Sequence, residues 1–444
     1  MFRQASLIVG AIVLIVGIQY RPSVCVATDE AKPRSPKQAE KNEPDEFEIF
    51  DIGDIEAPSP ADFGIDALIE KEAQKKELHE ILTSKTDAWK PHRGPTCIIG
   101  GPVPVKPTAR AVAAALTWLA NHQAADGSWS LHDYTEQCTD KTCTGQSDIS
   151  SDAGATALGL LPFLAAGQTH NSKGPYKERI RKGIEWLIQH QQPDGNLAKG
   201  SASMMYGHGL ATIALSEAYG LAGDKPVGMA AQKGVNFILF AQNIHDGGWR
   251  YNPKDPGDTC VLGWQLTALK SAQMAGLNVG GSVFAGAGKY LDSVAIRGGT
   301  EYGYLPGVDS SRAMTAVGLL GRQYLGAKRD SPMLTGGVKY LMSHLPDGKL
   351  PNIYYWYYGT QVMHNMSGME WDTWNCKIRD ILVRSQIRDD TCANGSWDPA
   401  KDAWGKHGGR IMETSLAALT LEVYYRYLPI FKPESAADDH KAGK

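Results

Sequence analysis

The chain has 444 residues, of which 42% are hydrophobic, 21% charged and 9% aromatic. Its 45 basic residues are balanced by 48 acidic ones, and the net charge of -3 excludes a polybasic nucleic-acid-binding protein. The 48 glycines follow no three-residue period, which excludes collagen. Seven cysteines are too few for a small disulfide scaffold.

The first 27 residues have the pattern of a signal peptide. Arg3 precedes an apolar run from Leu7 to Ile18, which is too short to span a bilayer. A small-x-small cleavage site, Cys25-Val26-Ala27, follows this run. The sequence therefore predicts export to the periplasm or cell surface, with no transmembrane helix after signal removal. An uncleaved N-terminal anchor is the alternative.

Residues 28–107 predict a spacer. The segment is acidic and rich in proline, so it buries too little apolar surface to offset its ordering entropy. One amphipathic helix is expected near residues 64–86, where leucine and isoleucine recur between Glu-Lys pairs. The main domain is expected over residues 108–430, followed by a polar tail at 431–444.

The main domain is built from a repeat with a fixed internal spacing. In three copies an aromatic residue is followed five positions later by Gln and then by an Asp-Gly turn. Three weaker copies follow. The six copies begin at Trp118, Trp186, Phe237, Tyr290, Tyr340 and Ile381.

A second helical stretch, rich in small residues, follows each copy. Small residues let helices approach closely, and Asp-Gly marks the turn inside each pair. A single pair cannot bury its own apolar face, so the pairs must stack on one another. Six pairs that close into a ring give an all-α (α/α)6 toroid, with the second helices inside and the loops framing a central cavity.

The repeat resembles the QW repeat of squalene-hopene and oxidosqualene cyclases. Lys182-Gly183-x-x-Trp186-Leu187-x-x-x-Gln191-x-x-Asp194-Gly195 carries the resemblance most clearly. Protein prenyltransferase β subunits share the toroid with a looser repeat. The chain also looks like exported bacterial proteins with prenyltransferase and squalene oxidase repeats. The resemblance implies the toroid over about residues 108–430, whereas a repeat that braces the fold does not fix the function.

The same resemblance draws attention to Asp255-Pro256-Gly257-Asp258-Thr259-Cys260, at the start of the third inner helix. In class II terpenoid cyclases an Asp-x-Asp-Asp-Thr-Ala motif stands here, and its middle Asp protonates an alkene or epoxide. Gly257 occupies that middle position, so the usual proton donor is absent. Asp258 and Asp255 remain as candidate catalytic carboxylates. Helix capping by Asp258 is the simpler alternative, and the helix N-terminus is expected to keep Asp258 ionised.

These residues also resemble the zinc site of protein prenyltransferases. Asp258-x-Cys260-x-x-x-Trp264 reproduces two ligand positions and a following Trp. The third ligand should be a His, but Tyr358 or Gly359 stands at the expected position. The simpler interpretation of Cys260 is a small buried residue and not a metal ligand. The prediction is therefore no metal and no cofactor.

Several further side chains are candidates for ligand binding. Five consecutive aromatic residues begin at Tyr354, and they cannot all face one core, so some should line the cavity. Each polar candidate taken singly is more simply a satisfied buried residue. The ligand-binding candidates are Trp264, Tyr355, Trp356, Tyr358, Arg250, His208, Arg312 and Glu413.

Export makes disulfides possible if Cys25 leaves with the signal. Cys138 and Cys143 flank one short polar loop, and Cys376 and Cys392 flank another polar stretch. The pairs Cys138–Cys143 and Cys376–Cys392 are expected from this arrangement.

Three functions are compatible with these patterns. The first is a toroid that binds a hydrophobic or polymeric ligand without standard cyclase chemistry. The second is a cyclase or prenyltransferase-type enzyme with an altered site at Asp258. The third is a glycan-active toroid, which needs two carboxyl groups that converge across the cavity. A dry aromatic cavity favours the first two functions, and a wet groove with facing carboxylates favours the third. The sequence does not indicate the oligomeric state.

Overall fold

The computed structural model describes residues 105–201 and 203–423. The predicted signal peptide, the predicted amphipathic helix and the polar tail lie outside the described residues, as does the spacer up to residue 104. The last three residues of the predicted spacer, 105–107, begin the first helix. None of the helices in the described ranges combines the length and the apolar character that crossing a membrane requires.

Twelve helices form the described part of the chain, and they alternate between an outer and an inner position. The outer helices are α1 (Val105–Asn121), α3 (Lys177–His190), α5 (Lys225–Ala241), α7 (Gly281–Ser293), α9 (Pro332–Met342) and α11 (Gly368–Ser385). The inner helices are α2 (Asp152–Ala165), α4 (Met204–Ala222), α6 (Thr259–Met274), α8 (Arg312–Tyr324), α10 (Ile353–Met366) and α12 (Gly405–Leu421). The predicted six-pair all-α toroid is confirmed.

Burial separates the two sets of helices. Every residue of α2 after Asp152 is buried, and so is every residue of α10. On α3, by contrast, the buried residues are Ile180, Gly183, Ile184 and Leu187, which recur with the spacing of one helical face. The inner helices are therefore enclosed on all sides, whereas each outer helix covers them with one face.

The ring is closed. Each inner helix packs on the next in chain order, and the last, α12, packs on the first, α2. The last outer helix, α11, likewise contacts α1. An open solenoid would leave these two ends apart, so the contacts distinguish the toroid from a solenoid.

The recurring spacing of Gln and Gly within the repeat has a structural explanation. Gln191 Nε2 donates to Gly195 O in its own turn, at 3.2 Å, and to Ala230 O on the next outer helix, at 2.9 Å. Gln123 and Gln242 make the same pair of bonds in their repeats. Each Gln thus links one helix pair to the next.

In the sixth repeat this bond closes the ring. Gln386 Nε2 donates to Gly395 O at 2.9 Å and to Ala111 O on α1 at 2.8 Å. The side chain is buried, so neither carbonyl has ready access to water when the amide is removed.

Gln386→Ala should lower the free energy of unfolding by about 2–3 kcal/mol, because two buried carbonyls lose their donor. Denaturant titration measures the change. Gln146→Ala is the matched control, since Gln146 is exposed and the substitution should change stability by less than about 0.5 kcal/mol. Equal stability of the two variants would show that the hydrogen bonds of Gln386 do not contribute to the free energy of unfolding.

The fourth repeat replaces the Asp-Gly turn with a two-stranded antiparallel hairpin. Its strands are β1 (Ala295–Ile296) and β2 (Glu301–Tyr302), with Ala295 opposite Tyr302 and Ile296 opposite Glu301. The segment after β2 carries Tyr304 to the start of α6, where Thr259 N donates to Tyr304 O at 3.1 Å. The hairpin therefore supplies one side of the site described next.

Candidate ligand cavity

A cavity of about 150 Å³ lies at the N-terminal ends of the inner helices. Its surface is mostly apolar, and none of the described residues that line it carries a carboxylate. The apolar and aromatic lining consists of Leu131, Ile149, Leu158, Tyr206, Leu210, Trp264, Tyr354, Trp404 and Met412. Ser151, Ser203 and His407 add polar groups, and Gly154, Gly207 and Gly408 complete the wall.

The aromatic part of the wall is rigidly packed. The Trp264 ring stacks on Tyr357 with centroids 5.6 Å apart, and it meets Tyr354 and Tyr358 edge-on at 6.1 and 5.4 Å. All four rings are buried. Such offset and edge-on arrangements are the preferred geometries of aromatic side chains, so this wall is preformed. Trp264 and Tyr354 are the two residues of this wall that line the cavity.

Asp258 does not line the cavity, and its side chain has no exposed surface. One carboxylate oxygen accepts from Val261 N at 2.8 Å, so Asp258 is the N-cap of α6. The other oxygen accepts from the Tyr304 hydroxyl at 3.1 Å and lies 3.5 Å from Arg250 Nε. Asp258 therefore caps α6 through one carboxylate oxygen, as the capping interpretation predicts. Its other oxygen contacts Tyr304 and Arg250.

Burial raises the pKa of Asp258 to about 6, against the lowering effects of Val261 N–H, Arg250 and Tyr304. The sequence led us to expect that the helix N-terminus would hold the carboxylate firmly ionised. Instead, because the carboxylate is fully buried, its desolvation raises the pKa by more than the helix N-terminus lowers it. Asp258 is an anion at neutral pH and becomes neutral in mildly acidic solution.

The network that starts at Asp258 reaches the cavity through tyrosines. The hydroxyls of Tyr304 and Tyr251 lie 2.9 Å apart, and the Tyr251 ring stacks on Tyr206 with centroids 6.2 Å apart. Tyr206 lines the cavity. The guanidinium of Arg250 lies over the Tyr251 ring at 5.1 Å. Tyr304, Tyr251 and Tyr206 thus connect Asp258 to the cavity surface, which Asp258 itself does not line.

Gly257 leaves no room for a proton donor. A Cβ at this position would lie 2.7 Å from Gly248 Cα and 2.7 Å from Cε2 of Tyr290. The Tyr290 hydroxyl also donates to Gly257 O at 3.0 Å, which fixes the ring in place. The position that carries the acid in class II cyclases is here filled by packing.

The other predicted carboxylates have local roles. The Asp255 carboxylate accepts from the backbone N–H and the side-chain amide of Asn252, at 3.0 and 3.1 Å, within its own loop. Glu413 is buried on α12, and burial, with the nearby Asp402 and Asp398, raises its pKa well above the usual range. Glu413 is therefore stable in its neutral form. The described contacts place neither group on the cavity surface.

His208 has a structural position within the repeat. Its Nδ1 accepts from Leu197 N at 3.1 Å, and its Nε2 lies 3.1 Å from Gly234 O. Thr156 accepts from Trp129 N at the equivalent place in the first repeat. Burial lowers the pKa of His208 to about 4, so the ring is neutral and links helix pairs.

Of the remaining candidates, Tyr355 and Arg312 pack away from the cavity. Tyr355 donates to His344 O at 2.9 Å and meets Trp374 edge-on, which directs it toward the outer helices. The Arg312 guanidinium lies 5.8 Å from the centre of the Tyr355 ring. Trp356 is buried, as is Tyr358, which packs behind Trp264.

A His–Asp pair at the cavity was not expected from the sequence. His407 lines the cavity, and its Nδ1 lies 3.0 Å from an Asp148 carboxylate oxygen. The sixth inner helix begins at Gly405 and bends at Gly409, whose φ is 63°. His407 therefore belongs to the helix start and not to a loop. The adjacent Gly408 and Gly409 are the signal for this bend in the sequence.

The predicted disulfides are wrong. Cys138 and Cys143 form no disulfide with each other, nor do Cys376 and Cys392. Cys376 lies on α11, whereas the Cys392 sulfur points to His122, with Sγ 3.5 Å from Nε2. The Cys143 sulfur meets the same nitrogen at 3.4 Å. The thiols of Cys138, Cys143 and Cys392 thus lie around the imidazole of His122 and do not form the predicted disulfides.

Comparisons with known proteins agree with this architecture. Residues 101–211 match the family model of the squalene-hopene cyclase C-terminal domain. No curated protein sequence matches the chain. These residues include the first helix pair, the outer helix of the second pair and the start of its inner helix, and they contain the repeat at Trp186 on which the resemblance rests.

Solved structures share the ring at low sequence identity. The type II terpene cyclase MstE from Scytonema is 13% identical, over 73% of this chain and 99% of its own, with a TM-score of 0.47. An α-1,6-mannanase of Salegentibacter sp. is 10% identical, over 71% and 98%, with a TM-score of 0.50. An α-amylase from Clostridium perfringens is 13% identical, over 71% and 97%, with a TM-score of 0.49. At such identities the likeness concerns the fold alone. The chain is thus a closed toroid of six helix pairs, and its residues 101–211 are similar to the squalene-hopene cyclase C-terminal domain.

Proposed function

We propose that the cavity binds the apolar end of an isoprenoid-like ligand, without the alkene protonation of a standard cyclase. The observation that carries this proposal is the lining: leucine, isoleucine, methionine and aromatic side chains surround the space, and none of the described lining residues is acidic. Such a surface favours an apolar group over a sugar, because apolar burial provides the binding energy.

The size of the cavity limits what enters it. A volume of about 150 Å³ matches a dry apolar cavity that holds benzene, so it takes a group of about six carbon atoms. One isoprene unit is of this size. The rest of a longer ligand would lie at the mouth, where His407, Ser151 and Ser203 offer hydrogen bonds to a polar end.

The chemistry of the surroundings supports binding over cyclisation. Gly257 cannot carry the acid of the cyclase motif, and Asp258 is enclosed behind Tyr304 and Tyr251. A paired-carboxylate hydrolase also lacks support, since the described cavity lining has no carboxylate to face a glycosidic bond.

A fluorescence experiment on the full chain tests this proposal. The uncharged dye N-phenyl-1-naphthylamine should bind the protein, and farnesol should displace it. Leu210→Trp fills the cavity and should weaken both ligands about tenfold or more, since about 1.4 kcal/mol of apolar burial is lost. Met229→Trp, at an exposed position on α5, is the matched control and should bind like the wild type.

Two outcomes would contradict the proposal. Mannotriose binding that Leu210→Trp abolishes, with no effect of farnesol, would favour the glycan-active alternative. Conversion of squalene to a cyclic product, lost in Asp258→Asn, would restore the cyclase interpretation.

A further inference from the structure

Four potential metal ligands meet at the junction between the first and last repeats, away from the residues assigned to the ligand cavity. His122 follows α1 directly, and Cys138 and Cys143 lie in the long loop before α2. Cys392 comes from the loop between α11 and α12. The imidazole nitrogen and the three sulfurs all lie within 4.8 Å of one another. The cluster includes neither Asp258 nor Cys260, the pair that resembles a prenyltransferase zinc site.

The separations agree with tetrahedral zinc coordination. With Zn–S near 2.3 Å and Zn–N near 2.0 Å, tetrahedral geometry sets a nitrogen and a sulfur ligand about 3.5 Å apart. His122 Nε2 lies 3.4 Å from Cys143 Sγ and 3.5 Å from Cys392 Sγ. A set of three Cys and one His is a common closed structural zinc site, and soft thiolates with imidazole select zinc over hard cations.

The histidine is held in the orientation that a metal ligand needs. Its Nδ1 lies 2.8 Å from Trp118 O, which leaves Nε2 to face the three sulfurs. The Trp118 ring stacks on the imidazole with centroids 4.2 Å apart, and Tyr134 packs against it at 5.8 Å. A hydrogen bond to the second ring nitrogen and an apolar shell are the features that orient metal-bound histidines.

The two loops that bring the sulfurs together are themselves joined. Asp140 accepts from Cys392 N at 2.7 Å and from Thr142 N at 3.0 Å. Arg410 is buried and donates to Thr144 O at 2.7 Å and to Ser396 Oγ at 3.1 Å. Its positive charge beside the cluster offsets the single net negative charge that three thiolates leave on a divalent ion.

We propose that His122, Cys138, Cys143 and Cys392 bind a structural zinc ion that fastens the first repeat of the toroid to the last. Three ligands come from the first repeat and one from the sixth, so the ion joins the two ends of the ring where Gln386 also joins them. The sequence did not indicate this set of ligands, because Cys392 is about 250 residues from Cys138 and Cys143 along the chain.

Metal analysis of the purified full chain tests the site. The protein should carry one zinc per chain by elemental mass spectrometry, and Cys392→Ser should reduce the zinc content to a small fraction of this. Cys376→Ser is the matched control, because Cys376 lies on α11 outside the cluster, and this variant should keep its zinc.

A second measurement does not depend on the variant folding. Replacing the metal of the wild type with cobalt should give the intense visible absorption of a tetrahedral thiolate site. Chelation should lower the midpoint of thermal unfolding, and zinc should restore it.

Three outcomes would overturn the proposal. The first is metal-free protein with a disulfide among Cys138, Cys143 and Cys392 in peptide mass spectrometry. The second is iron in place of zinc. The third is rapid alkylation of a single thiol in metal-free protein, which would indicate a reactive Cys–His pair.

Discussion

Gly257→Ala is expected to lower the free energy of unfolding by about 3 kcal/mol, and Gly257→Asp by more. The backbones of Gly257 and Gly248 lie against each other, and the Tyr290 ring covers both. A single methyl group would approach Gly248 Cα to 2.7 Å, and neither backbone can rotate away as a side chain does. Aspartate adds a buried carboxylate next to Asp246, which already accepts from Gly257 N at 2.8 Å.

Denaturant titration of the full chain measures this effect. Gly281→Ala is the matched control, because a Cβ at Gly281 meets no atom within 4 Å. That variant should be as stable as the wild type. A Gly257→Ala protein of unchanged stability would show that the contact between the two glycines relaxes freely.

The same substitution addresses cyclase chemistry. Restoring an aspartate at Gly257 should not produce squalene cyclisation, because the position has no space through which a carboxyl group can reach the cavity. Gas chromatography of a squalene incubation with the folded fraction checks this. A cyclic product would show that the loop can rearrange to present the acid.

The fold was predictable because its information is periodic. An aromatic residue, a Gln and an Asp-Gly turn recur at fixed spacing, and each copy makes the same contacts. Gln191 bonds its own turn and the next outer helix, as Gln123 and Gln242 do. Repeated contacts require a repeated pattern of residues, so the number of helix pairs and the order of outer and inner helices follow from the sequence.

The site was less predictable because its contacts are unique to single repeats. Asp258 is covered by Tyr304, which follows the hairpin that replaces the Asp-Gly turn in the fourth repeat. His407 reaches Asp148, and Cys392 reaches His122, only because the ring closes. Sequence spacing carries no information about such pairs. It favoured the pairs Cys138–Cys143 and Cys376–Cys392, whereas all four of these cysteines are free.

The sequence also did not indicate which polar residues near the cavity point into it. His208 contacts Gly234 of the next helix pair, whereas Glu413 is buried close to Asp402, Asp398 and Arg410 of its own repeat. Position along a helix does not reveal which way a side chain points when the helix is buried on every face. Only the packing of the ring separates residues such as Trp264, which line the cavity, from those behind them.

Asp258→Asn is expected to flatten the dependence of stability on pH. Burial raises the pKa of Asp258 in the folded protein to about 6, from a usual value of 3.8. The folded state therefore binds the proton more tightly than the unfolded state does. The stabilisation from this proton is complete below pH 3.8 and is lost as the pH rises through 6.

With these two pKa values, the free energy of unfolding of the wild type should rise by about 1.4 kcal/mol between pH 8 and pH 5 through Asp258 alone. Asparagine keeps the shape and can still accept from Val261 N, but it has no charge to bury. The variant should therefore lack this increment. Burial also raises the pKa of Asp402 to about 6, but Asp402 is present in both proteins, so the difference between them isolates Asp258.

Urea titrations of both proteins at pH 5, 6, 7 and 8 provide the measurement. At pH 8 the variant should be at least as stable as the wild type, because it avoids the desolvation of a carboxylate, which here exceeds the attraction of Arg250. If Asp258→Asn instead loses stability at pH 8 and keeps the wild-type slope, Arg250 and Tyr304 stabilise the anion more than burial penalises it. The carboxylate would then be a firm anion, as the helix N-terminus alone had led us to expect.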